Sequence, residues 1–202
     1  MPATSRAVVG PTLFNLEAEL PYELRLKDFE LAMQDVYDLL FDVNSILIER
    51  GLDRFDDMLR KQAMSGVISD ALTTSLAKHS RALAANRFHN GHPDLVLRGR
   101  HENDAVKAGD EGVEIKTTRG KGAPDAHGAR EAWLCVFYYV VDDETEPASA
   151  REPMTFRKIL LARLEVADFR TNERGTLGTR TSSPNANGMK KLRANWIYDT
   201  GT

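Results

Sequence analysis

The run WLCVFYYVV at residues 133–141 constrains the fold more than any other stretch of this chain. It holds no charged residue over nine positions. Successive side chains of a β-strand point to opposite faces, so a strand with this sequence is apolar on both faces and belongs at the centre of a sheet. Periodicity alone leaves a buried helix open for such a run. A membrane span needs roughly 18 or more apolar residues. The apolar stretch at residues 132–141 is too short for that and carries two tyrosines.

The residues before this run read as helices. Phe29, Met33, Val36, Leu40, Val43 and Leu47 recur at helical spacing, and Asp28, Asp35, Asp38 and Asp42 fall mostly opposite them, which predicts a helix over residues 26–51. Gly51 is its natural stop. Asp53 starts a short second helix to about residue 62, and Ile68, Leu72 and Leu76 give a third over residues 67–85. The pattern then changes to strands at 93–97, 112–118, 133–141, 157–166 and 196–198. Residues 101–112 and 119–127 read as loops, 128–131 as a brief helical turn, and 170–190 as rich in turns. The expectation is one α/β domain over residues 1–202: a mixed sheet flanked by helices, with a helical N-terminal region, a core at about 26–166 and a basic segment at about 167–202.

Charge sharpens this division. Lys and Arg total 27 against 30 Asp and Glu, a net charge of -3, which excludes a uniformly basic nucleic-acid coat. The charges are unevenly spread: residues 1–60 hold 6 basic and 12 acidic side chains, and residues 157–202 hold 9 basic and 4 acidic. The single cysteine, Cys135, excludes an internal disulfide and a cysteine metal cluster, and its place in the apolar run makes it a core residue. The N-terminal MPATSRAVVG lacks the pattern of a secretory signal, so a cytoplasmic, non-membrane protein is expected.

Three residues carry chemistry. Asp94 opens one strand, and Glu114 and Lys116 share a face of the next because side chains repeat every two residues. If the two strands pair or splay from one another, both carboxylates converge with the lysine beside them. Two carboxylates, joined by the main-chain carbonyl of Ile115, make a hard-oxygen site suited to Mg²⁺. A metal held there lowers the pKa of an attacking water, and Lys116 is placed to orient that water or to stabilise charge on phosphorus.

Pro93-Asp94 followed by Glu114-Ile115-Lys116 resembles the PD-(D/E)xK nuclease superfamily, which includes many type II restriction endonucleases. The separation from Asp94 to Glu114 is 20 residues. The resemblance implies that Asp94 and Glu114 bind Mg²⁺ and that Lys116 assists attack. It also implies a restriction-endonuclease-like core: a helix, a three-strand meander bearing the motif, a helix, and a further strand. Only 16 residues separate Lys116 from Trp133, so the second helix must be short, at about residues 126–132. Relatives often add an acid from a preceding helix; Glu30 is the candidate here and Asp70 the alternative.

Double-stranded DNA is the implied partner. Arg98 and Arg100 follow the Asp94 strand, and Arg119, Lys121, His127 and Arg130 follow the catalytic strand; Arg180, Lys190, Lys191 and Arg193 lie in the basic tail. These side chains suit phosphate contacts or base edges. His92, two residues before Asp94, is either a neighbour of the site or an ordinary turn residue. The expected activity is Mg²⁺-dependent DNA cleavage, with a homodimer expected because two sites can cut two strands of a symmetric target. The alternative is a non-catalytic DNA-binding or interaction module of the same shape.

Overall fold

In a computed structural model, the structure describes residues 5–120, 122, 124, 128–171 and 182–201. Three helices come first: α1 (Leu26–Glu49), the single turn α2 (Phe55–Met58) and α3 (Lys61–His79). Strands β1 (Leu83–Ala85), β2 (Leu95–Leu97), β3 (Val113–Arg119), β4 (Ala132–Val140) and β5 (Thr155–Leu164) follow. A small ribbon, β6 (Phe169–Thr171) with β7 (Ser182–Pro184), then leads to helix α4 (Ala186–Ala194) and the last strand, β8 (Trp196–Asp199).

The main sheet has six strands in the order β1-β2-β3-β4-β5-β8. Every neighbouring pair is antiparallel except β3 and β4, which run parallel from Val113↔Trp133 to Arg119↔Tyr139. The apolar run is β4, at the centre as its composition requires. Its alternate residues supply two cores. Cys135, Phe137 and Tyr139 face Phe29, Met33, Val36 and Leu40 of α1 and Met64, Ile68, Leu72 and Leu76 of α3. Leu134, Val136 and Tyr138 face Met189 and Leu192 of α4. Burial holds the Cys135 thiol up, out of reach of its reactive thiolate form.

Several boundaries depart from the periodic reading. Helix α1 buries Phe29, Met33, Val36 and Leu40 as expected, but its later inward position is Asn44. Asn44 donates to Asp56 Oδ1 at 3.1 Å and accepts from Phe55 N–H at 2.7 Å, so the helix end is fastened to α2 by polar contacts. Helix α3 begins and ends about six residues earlier than the 67–85 reading. Ser80 leaves the helix in an extended conformation and its hydroxyl donates to Leu83 O at 3.1 Å. The next residues become an edge strand because Leu83 and Ala85 find backbone partners at Leu97 and Leu95. Tertiary pairing here overrides local helix propensity.

The brief helix expected at 126–132 does not form over its described part: residues 128–131 are non-helical and Ala132 already belongs to β4. The crossover between parallel β3 and β4 therefore lacks a described helix. In the tail, residues 186–194 are helical where turns were expected. Asn185 caps them, accepting from Asn187 N–H and Gly188 N–H. The C-terminal segment is thus part of the sheet packing.

Candidate active site

Asp94, Glu114 and Lys116 meet where β2 and β3 part. The two strands register only at Leu95↔Val113. Beyond that pair the chain through Pro93 and His92 turns away from β3, leaving the backbone of Ile115 without a strand partner on that side. Asp94 fills the gap: its Oδ2 accepts the Ile115 N–H at 2.8 Å. A strand residue points its N–H and C=O to the same side, so the Ile115 carbonyl opens towards the Asp94 side too. The Ser69 hydroxyl, from α3, approaches that carbonyl at 3.4 Å.

The side chains of Glu114 and Lys116 stand on the α4 face, because Val113 and Ile115, which alternate with them, face α1 and α3. Lys116 Nζ lies 2.6 Å from Glu114 Oε1 and 3.9 Å from Asp94 Oδ2, so one ammonium spans both carboxylates. His92 Nδ1 lies 3.3 Å from the Glu114 carboxylate. Its own backbone is held on both sides: its N–H donates to Lys107 O at 3.1 Å and its carbonyl accepts from Gly109 N–H at 2.7 Å.

Burial and the neighbouring Glu114 charge push the Asp94 carboxyl up to about 6, even though Lys116 and the Ile115 N–H pull the other way. Burial raises Glu114 as well, but the charges of Lys116 and His92 outweigh it and hold that carboxyl below its ordinary value. Two carboxylates in one half-buried place thus divide into one that holds its charge and one that resists it. A cation set between them would relieve that strain. Asp94, Glu114 and the Ile115 carbonyl are hard oxygen donors of the kind Mg²⁺ takes, with waters and a phosphate oxygen completing its shell. Among the described residues no group of three or more His, Cys, Asp or Glu side chains is arranged as a metal site. The fit therefore depends on the carbonyl as third protein ligand.

The remaining expected residues scatter. Glu30 pairs with Lys27 on its own helix at 2.7 Å, and Asp70 is exposed on α3. The helix residue that reaches β3 is Ser69, and no spacing rule for acids would find it. Arg98 donates to the carbonyls of Ala77 and Leu83 at 3.0 and 2.6 Å, tying the end of α3 to β1. Arg119 donates to Val141 O at 3.0 Å and pairs with Asp143 at 2.6 Å, keeping only 16% of its side chain exposed. Arg100 pairs with Glu111 at 3.2 Å. Lys191 is bonded to buried Asp168 at 2.6 Å, whereas Lys190 and Arg193 are exposed on α4. Arg130 lines an open cleft beside the site with His92, Pro93, Glu114, Leu134 and Phe169. Lys121, His127 and Arg180 lie outside the described residues.

Sequence reading missed Asn86, whose position is fixed by partners far along the chain. Its Nδ2 donates to Pro93 O at 2.9 Å and to Val106 O at 2.8 Å, and its own N–H donates to Asp94 O at 2.8 Å. It holds the turn that delivers Asp94. No family model matches the chain, and no curated protein matches it significantly. No helix among the described residues is long and apolar enough to cross a membrane.

Proposed function

We propose that the chain is a Mg²⁺-dependent DNA endonuclease with a restriction-endonuclease-like core. The observation that carries this reading is the meeting of Asp94, Glu114 and Lys116 beside Ile115, where β2 and β3 part. The order of elements supports it: helix α3, three antiparallel strands bearing the motif, and a crossover to a parallel fourth strand. Among the described residues the crossover holds no helix, which departs from the resembled pattern.

Asp94, Glu114 and the Ile115 carbonyl would hold the ion. Bound there, Mg²⁺ supplies charge stabilisation at phosphorus and a more acidic water. Lys116 sits between the two carboxylates and is placed to orient the nucleophile and to stabilise negative charge as the phosphodiester is attacked. His92 Nδ1 is a second partner of the Glu114 carboxylate, at 3.3 Å.

Cleavage of a complex DNA library in Mg²⁺, with the ends sequenced, tests the reading and reveals any specificity. Cleavage is expected to disappear in EDTA and to fall at least about 100-fold in Lys116→Ala. Calorimetric titration with Mg²⁺ gives a second readout, with weaker uptake expected for Asp94→Asn. Cleavage unchanged by both EDTA and Lys116→Ala would overturn the mechanism. DNA binding without any Mg²⁺-dependent cutting would identify the chain as a non-catalytic DNA-binding module.

A further inference from the structure

The turn between β1 and β2 ends in a tip, Arg87-Phe88-His89-Asn90, whose four residues are all exposed. Phe88 keeps 43% of its surface in solvent. A lone exposed apolar side chain is ordinary on a protein surface. This one differs because the backbone beneath it is fixed. Asn86 Oδ1 accepts from Phe88 N–H and from Val106 N–H, both at 3.0 Å. Arg87 N–H donates to Asp104 O at 3.0 Å, and Gly91 N–H closes the turn on Phe88 O at 2.9 Å. Asn90 takes a left-handed φ of 56°, and a Cβ on Gly91 would stand 2.4 Å from Val106 O. A tip held this way loses little conformational freedom when it meets a partner.

Its chemistry and its place select the partner. An aromatic ring flanked by an arginine, a histidine and an asparagine matches a base step with its phosphates. Asp104 of the supporting loop has its Oδ1 turned onto Gly99 N–H at 2.6 Å. The same Asn86 that braces Phe88 also grips Pro93 and Asp94, so the tip and the cleavage site are parts of one bonded unit. Five residues of chain lie between Phe88 and Asp94, which puts the two at most about 20 Å apart when extended. That corresponds to roughly six base-pair steps.

We propose that the Arg87-Phe88-His89-Asn90 tip is a DNA-binding element, with Phe88 wedged against a base step close to the cleaved phosphodiester and Arg87 on a neighbouring phosphate. The position of the cut rests on the nuclease reading; the binding does not, so the two are measured apart. Equilibrium binding of a short duplex in EDTA reports the tip alone. Phe88→Ala is expected to weaken it roughly 10-fold, and Phe88→Trp to retain it. Arg87→Ala is expected to lower the salt slope of log Kd by about 1. A fluorescent adenine analogue in the duplex should brighten on binding the wild-type chain and stay dark with Phe88→Ala. Thermal unfolding of both variants should match wild type, since both side chains are exposed. Wild-type affinity in Phe88→Ala and Arg87→Ala would overturn the proposal, as would failure of the wild-type chain to bind duplex DNA. If wild type binds and Phe88→Ala does not, the tip stands even where Mg²⁺ brings no cleavage.

Discussion

Asp35 ties the two long helices together through one carboxylate oxygen. Its Oδ2 accepts from Ser75 Oγ at 2.6 Å and lies 2.9 Å from His79 Nε2 and 3.1 Å from Lys78 Nζ, all on α3. Partial burial raises this carboxyl, but the three α3 partners outweigh it and bring it down to about 2. The folded state therefore binds this proton more weakly than the unfolded chain, whose aspartate titrates near ~3.9. The stabilisation is present above that value and is lost as pH falls through about 2. Because the side chain is 37% exposed, solvent screens the pairing and the expected loss for Asp35→Asn at neutral pH is about 1 kcal/mol or less. Urea unfolding at pH 7 and at pH 2 checks this: the two chains should differ at the first and converge at the second. A gap that persists unchanged in acid would assign the effect to something other than the carboxylate charge. The same rule, that a side chain is defined by its partners, explains why Arg98 and Arg119 belong to the scaffold. Their guanidinium groups are engaged with carbonyls inside the protein, and composition cannot foresee that.

Elements were legible where one physical signal dominated. The nine-residue apolar run specified β4, and alternation specified β3 with Glu114 and Lys116 on one face. The heptad-like stripe specified most of α1. What escaped were elements made by long-range partners: β1, which exists because β2 pairs with it, and the Asn86 turn, whose partners lie up to 20 residues away. Helix α4 had a local signal that glycines and asparagines obscured, namely the Asn185 cap followed by Met189 and Leu192 on one face. Its docking also uses charge. Asp168, with 1% of its side chain exposed, accepts from Glu165 N–H at 2.9 Å, from Asn187 Nδ2 at 2.5 Å and from Lys191 Nζ at 2.6 Å. Lys191→Ala would leave that carboxylate without its counter-charge and should lower stability. Neighbouring Lys190→Ala, exposed on the same helix, should leave stability unchanged. Chemical denaturation of the two variants separates a scaffold lysine from a surface one; equal midpoints would refute the scaffold role of Lys191.

Across the whole molecule the two faces of the sheet are unequally covered. Helices α1 and α3 pack against one face, while α4, with only nine residues, covers the β4–β5 part of the other. Asp94, Glu114 and Lys116 stand on that second face, beside the covered part, where the sheet meets the cleft bordered by Arg130 and Phe169. Among the described residues this face is only partly covered, and on the nuclease reading proposed above that is where a polyanion would reach a chain with a net charge of -3. The first 60 residues hold 12 of the 30 acidic side chains against 6 basic ones, so the excess of negative charge is concentrated in the N-terminal region. On the nuclease reading proposed above, one such face would present one cleavage site, while a duplex has two strands of opposite polarity. A symmetric target cut on both strands therefore calls for two copies related by a two-fold axis. Sedimentation with a symmetric cognate duplex, under Ca²⁺ to hold cleavage off, should show two chains per duplex. Cleavage at limiting enzyme should release both strand breaks together. A single chain on the duplex, with nicks accumulating before any double-strand break, would show that each copy acts alone.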